Sequence, residues 1–243
     1  MQVFGIFKEV HELEYLTKSY LYMHKEGEEI TLDELNLLLK KKNKNVAGTI
    51  FLHNPNTVPL DLKLNEKLSR QDFKFDGKFN ELHVENEVRI VGRNLKAYRG
   101  KLIEIKYLFN YNKENIQPTS TMEVLDMDLE KLHTKLLTVF AKNDNFQDYK
   151  NISYNGKFIF FAWGHKIDRH HTSLATYASN IAHWAKKQNK DIAFVYDKVK
   201  DEEDSLSTAR FYSPYNFGKL KHVVPVAIEK VFANEIIKPV RLD

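Results

Sequence analysis

Four short apolar segments, separated by helical or long polar connections, predict an α/β fold. The expected architecture is a four-stranded parallel central sheet flanked by helices, with an N-terminal extension over residues 1–45 and an α/β domain over 46–243. Two observations carry this. Residues 49–52, 101–110, 156–164 and 191–196 are β-prone runs without helical spacing, as suits strands buried on both faces. Residues 126–143 and 172–188 instead repeat apolar side chains at helical spacing. Leu129, Leu132, Leu136, Leu137 and Phe140 share one face of the first, and Leu174, Tyr177, Ile181 and Trp184 one face of the second.

The first 45 residues are less regular. Leu13, Leu16, Tyr20 and Met23 suit one helical face, while the aromatic and Thr content of the same stretch suits strand; the balance favours a strand pair or a mixed segment. Thr31 and Glu34 have capping-box spacing ahead of Leu35, Leu37, Leu38 and Leu39, which predicts a helix over 32–41. Residues 40–44 are a basic run, read either as a solvated helix end or as a phosphate contact. Residues 65–73 suggest a helix, 75–79 a turn between extended pieces, and 88–92 a short strand. The charged residues 198–204 read as a loop, followed by a Pro/Gly-punctuated aromatic loop over 210–218. The tail reads as a helix interrupted near Pro225.

Composition bounds the function. The net charge of +4 permits nucleic-acid binding without demanding it, and 30 of the 37 basic residues are Lys. Cysteine is absent, which removes disulfides, thiolate metal sites and a cysteine nucleophile. No long apolar run opens the chain, so neither a signal peptide nor a membrane span is expected, and a cytoplasmic monomer is the expectation.

Four polar loops follow the predicted strands. Asn54 and Asn110 end the first two, residues 164–171 follow the third, and the Ser213 loop follows the fourth. If the strands are parallel, all four meet along one edge, where open α/β sheets bind their ligands. His165, His170 and His171 lie near Asp168, but no paired His spacing with a third ligand accompanies them, so no metal is assigned. Ser213 lacks the nucleophile-elbow glycines, and no phosphate-cradling Gly-rich loop occurs. Amide and aromatic chemistry fits better. An Asn at a strand end can hold a water against a sugar carbon, a second Asn can read a base edge, aromatic rings can stack on an extruded base, and Lys or Arg can hold flanking phosphates.

Leu52-His-Asn-Pro-Asn-Thr57, Phe160-Phe-Ala-Trp-Gly-His165 and Phe211-Tyr-Ser-Pro214 occur in the order of the motifs of the uracil-DNA glycosylase superfamily. The first resembles the Asn-Pro loop of its mismatch-specific uracil/thymine branch, and also the Asn-Pro-Ser-Thr loop of an uncharacterised bacterial and phage family. The second resembles the apolar strand ending in Trp-Gly, and the third the loop that enters the minor groove. The resemblance covers roughly residues 46–218. It implies a three-layer α/β sandwich and a DNA glycosylase that needs no cofactor.

By position, Asn54 with His53 would be catalytic, orienting or polarising the attacking water. Asn110, with Asn56 and Phe109, would read the base. His165, Lys166, Arg169, His170, His171, Arg210, Tyr212, Ser213, Pro214 and Tyr215 would contact DNA. In the superfamily the last loop often begins with His, which stabilises the departing base anion. Here that position is Phe211, or Ser213 if Ser213-Pro214 is taken as the His-Pro pair. Phe73, Phe75 and Tyr98 are candidates for the pocket floor. A larger or modified base suits these departures, as in antiviral excision of hypermodified phage bases. The alternative is a non-catalytic nucleic-acid or nucleotide-binding protein on the same fold.

Overall fold

The computed structural model describes residues 1–10, 13–53, 55, 57–61, 76–108, 149–164, 172–197, 201–233 and 236–242. Its centre is a single mixed sheet of eight strands: β1 (Gln2–Val10), β2 (Leu13–Tyr22), β3 (Val46–Leu52), β4 (Phe79–Leu82), β5 (Leu102–Tyr107), β6 (Phe158–Phe161), β7 (Asp191–Tyr196) and β8 (Val240–Arg241). The spatial order is β4-β1-β2-β5-β3-β6-β7-β8. The expected four-stranded, purely parallel sheet is therefore corrected. β5, β3, β6 and β7 are parallel neighbours, and β8 extends them in parallel. β4, β1 and β2 continue the same sheet in antiparallel pairing.

Residues 1–45 thus contribute two strands and two helices. Of the two readings of residues 13–23, strand prevails, because Leu16, Tyr20 and Tyr22 are sheet residues buried against neighbouring elements. The antiparallel register of Ser19–Tyr22 with Leu102–Ile105 satisfies the backbone edge of β5 that a lone parallel sheet would leave open.

Helix α1 (Leu32–Lys40) begins where the capping box predicts: the Thr31 hydroxyl accepts from the Glu34 N–H, and the Glu34 carboxylate accepts from the Thr31 N–H at 2.8 Å. A short turn of helix, α2 (Lys42–Asn45), leads into β3. Helix α3 (Asn86–Gly92) takes in the whole of the stretch 88–92 expected as a short strand. Its β-branched residues favour strand locally, but Val88 and Val91, one helical turn apart, are both fully buried, and packing outweighs propensity. Helix α4 (Thr172–Lys186) matches its periodicity.

Helix α5 (Glu202–Ser207) replaces the predicted charged loop. Asp201 caps it by accepting from the Asp204 N–H at 2.6 Å, and Glu202, Glu203 and Asp204 sit in the first turn, where the helix dipole favours negative charge. Helix α6 (Leu220–Phe232) runs through Pro225 without the expected interruption. The carbonyl that Pro225 leaves without its N–H partner is that of Lys221, in the exposed first turn. The predicted helices over 65–73 and 126–143 lie outside the described residues.

Three apolar clusters cover the two faces. On one face α3 and α6 pack with Ile50, Ile105, Phe160 and Val195. On the other, α4 packs with Phe51, Ile159, Phe161 and Phe194. Leu35 of α1 joins Phe4, Tyr20 and Leu102 in a third. Among the described residues no helix is long and apolar enough to cross a membrane.

Candidate active site at the carboxyl edge

Strand β3 lies inside the parallel group, between β5 and β6, and all but one of its residues are buried. From β3 the chain passes to β4 and then β5, both on one side, whereas from β6 it passes to β7 on the other. Outgoing connections that diverge in this way open a crevice beyond the carboxyl ends of β3 and β6, the place where open α/β sheets bind ligands. The ladder runs on past both strand ends. Leu52 O accepts from the Leu108 N–H at 2.9 Å, and Phe51 O accepts from the Ala162 N–H at 2.8 Å. His53, Leu108 and Trp163 are therefore aligned at one edge, as the sequence requires if the strands are parallel.

His53 is half-buried and Pro55 is buried. Beyond them the chain is tied down: Thr57 Oγ1 donates to His83 O, His83 N–H donates to Val58 O at 2.9 Å, and Pro59 bridges Leu82. Asn54, Asn56, Phe109, Asn110, His165, Lys166, Arg169, His170 and His171 lie outside the described residues, as do Phe73 and Phe75.

The third loop is anchored by aromatic packing. Trp163 is buried, and its indole N–H donates to Ala209 O at 2.9 Å. Its ring lies edge-on to Phe51 at 5.2 Å and near Phe161 and Phe211 at 4.8 and 5.1 Å. Gly164 has φ +114°, a conformation that side chains rarely adopt, and it bridges Phe211. That bridge brings the 211–217 segment to the same edge. Tyr212 N–H donates to Val195 O at 2.8 Å, which fixes the segment beside β7.

Within that segment the side chains divide. Phe211 is fully buried, stacked on Phe161 at 5.3 Å and 4.4 Å from Phe194. Tyr212 is also buried, and its hydroxyl donates to Asp197 Oδ2 at 3.4 Å. Burial, and then the Asp197 charge, raises its phenol above the ordinary value. Arg210 and Ser213 are half-buried and Pro214 is buried. The Asn216 amide closes the turn on Ser213 O. Tyr215 is 39% exposed and Phe217 is 81% exposed, with their rings edge-on at 5.5 Å. Two of the residues expected to contact DNA, Tyr212 and Pro214, are therefore placed inside, and an exposed aromatic pair stands just beyond them. Tyr98, a pocket-floor candidate, packs against Phe158 at 5.2 Å, at the opposite end of β6.

Sequence reasoning missed two features. One is Phe217, whose signal was a fourth aromatic residue in a loop punctuated by Pro and Gly. The other is a buried acid at the end of β5. Tyr107, the register partner of Leu52, donates its hydroxyl to Glu85 Oε1, and the two residues are only 5% and 4% exposed. Burial and the Glu85 charge hold the Tyr107 phenol well above its ordinary range. On the α3/α6 face, two tyrosine–carboxylate pairs thus bracket the edge, Tyr107–Glu85 at β5 and Tyr212–Asp197 at β7. Among the described residues no cluster of three or more His, Asp or Glu is placed to hold a metal ion. Comparison with protein-family models, with curated proteins and with solved structures returns no match to this chain.

Proposed function

We propose that the chain is a monofunctional DNA glycosylase of the uracil-DNA glycosylase type, which hydrolyses the N-glycosidic bond of a flipped, modified base and leaves an abasic site. The observation that carries this reading is the strand order β5-β3-β6-β7. It supports a crevice between the Asn-Pro loop after β3 and the Trp-Gly loop after β6, with the 211–217 segment bridged to Gly164. Those are the three motifs on which the resemblance rests, and the parallel group supports the glycosylase-like sandwich. In this reading Asn54 orients the attacking water, Asn110 reads the base, and residues 165–171 with Arg210 hold phosphates. Extruding a base costs on the order of a few kcal/mol. The exposed rings of Tyr215 and Phe217 suit an aromatic contact that offsets this, since stacking on a base contributes roughly 1–3 kcal/mol. Antiphage excision of a hypermodified base is the proposed setting.

The test is incubation with DNA carrying uracil, thymine mismatches, hydroxymethylcytosine or glucosylated cytosine, followed by alkali. Cleavage on one substrate, lost in Asn54→Ala, supports the reading and names the base. One observation favours a second reading, a non-catalytic nucleic-acid-binding protein: Phe211, which with Ser213 is one of the two residues that could stand where the superfamily often has its His, is a core ring with no proton to give. DNA binding that drops in Phe217→Ala, with no abasic sites on any substrate, would select it.

A further inference from the structure

At the opposite, amino edge of the parallel strands lies a cavity of about 570 Å³. Four of the parallel strands each deliver a lysine to it from a position just before their start: Lys44 ahead of β3, Lys101 ahead of β5, Lys157 ahead of β6 and Lys190 ahead of β7. Neighbouring strands lie about 4.8 Å apart, so the strand order itself sets these side chains side by side. Two of the ammonium groups are held by backbone carbonyls. Lys101 Nζ donates to Lys44 O at 3.1 Å, and Lys190 Nζ donates to Gly156 O at 2.6 Å. An ammonium group has three N–H donors, so each keeps two beyond that bond. Among the described residues no carboxylate lines the cavity; Asp191, close enough to Tyr98 to influence its phenol, lies outside the lining. Val46, Ala47, Ala97, Tyr98 and Tyr154 give the wall an apolar and aromatic part, and Asn155, whose amide donates to Glu104 Oε2 at 2.6 Å, gives it a polar one.

Four cations around one cavity exceed what a halide or a single carboxylate needs. They suit a phosphate monoester, which carries close to two negative charges and three acceptor oxygens at neutral pH. The apolar wall and the volume suit a ring attached to that phosphate, because sites for small organic ligands run to roughly 300–1,000 Å³. A polynucleotide would instead need an extended basic groove along its backbone. We propose that this pocket binds a phosphomonoester of mononucleotide size, with its phosphate on the four lysines and its ring against Tyr98 and Ala97. The inference is independent of the glycosylase reading, since its residues lie at the other end of the strands.

Calorimetric titration of the full chain with AMP, adenosine, inorganic phosphate and a single-stranded oligonucleotide bearing a 5′-hydroxyl tests it. The expected result is binding of AMP at least tenfold tighter than adenosine or inorganic phosphate. The double variant Lys44→Ala/Lys157→Ala should lose tenfold or more in AMP affinity at unchanged melting temperature, since both side chains are exposed. Asn54→Ala should bind AMP as the parent does. Absence of AMP binding, equal affinity for AMP and adenosine, or unchanged affinity in the lysine variant would overturn the proposal. Inorganic phosphate binding as tightly as AMP would overturn its nucleotide part. An oligonucleotide that displaces AMP at equal concentration would replace the small ligand by a nucleic-acid strand.

Discussion

Replacing Phe211 by Ala tests whether the 211–217 segment reaches the carboxyl edge through the core. The side chain is fully buried among Phe161, Trp163 and Phe194, with ring centroids 4.4 to 5.3 Å away. Burying a Phe contributes about 1.5–3 kcal/mol, and each well-placed aromatic pair about 0.5–1.5 kcal/mol beyond that. Removing the ring also leaves a cavity, and Phe→Ala changes in cores cost about 3–5 kcal/mol. The expected loss is about 4 kcal/mol, a large share of the 5–15 kcal/mol typical of a folded domain. In urea unfolding followed by circular dichroism, the midpoint should fall by on the order of 1–2 M. A loss below about 1 kcal/mol would mean that Phe211 does not sit in this stack, and the placement of the segment against β6 would fail with it. Phe211→His adds a second reading of the same site. It puts an imidazole where the superfamily resemblance looks for one, but inside an apolar stack, so a loss of roughly 2–4 kcal/mol without any gain in base excision is expected.

Three further outcomes are expected. Tyr107→Phe removes one donor from the buried Glu85 carboxylate and should cost about 1–3 kcal/mol in denaturant unfolding; a neutral result would show that Glu85 does not depend on that hydroxyl. Burial raises the phenols of Tyr107, Tyr154 and Tyr177 above their ordinary value near 10, so the folded state keeps protons that the unfolded chain has lost once the pH exceeds 10. Their contribution is complete below pH 10 and declines as the pH rises beyond it, by about 1.4 kcal/mol per pH unit for each of them. Tyrosinate absorbance that rises for all 12 tyrosines together near pH 10, with the fold intact, would contradict this. Finally, Gly156 has φ +79°, and a Cβ there would stand 2.2 Å from the Ala47 carbonyl carbon. Gly156→Ala should therefore cost at least about 2 kcal/mol, and a thermal midpoint equal to that of the parent would refute the close approach.

Legibility of the sequence followed the range of the interaction. The parallel strands were visible because runs such as Phe158–Phe161 are buried on both faces and need no partner to be recognised. The cap of α1 was visible because Thr31 and Glu34 are neighbours on one turn. The helix at Asn86–Gly92 was misread because its valines speak for strand until the core they enter is known. The helix at Glu202–Ser207 carries a local signal, Asp201 followed by three acids, but the density of charge in 198–204 speaks equally for a loop. Tyr107 and Glu85 are 22 residues apart, and nothing local announces the pair. The four lysines of the amino-edge cavity become a group only once the strand order is known.

The position of the N-terminal hairpin constrains the course of folding. β1 and β2 can pair as soon as they are synthesised, because their residues are close in sequence. The outer edge of β2 then stays open until Leu102–Tyr107 has been made, and β3 gains its second neighbour only with Phe158–Phe161. Non-local ladders of this kind close slowly, since the loop entropy must be lost before the contacts form. The nascent chain therefore carries a hairpin with an unpaired, aromatic-rich edge through much of its synthesis, a template on which a second copy can pair in place of β5.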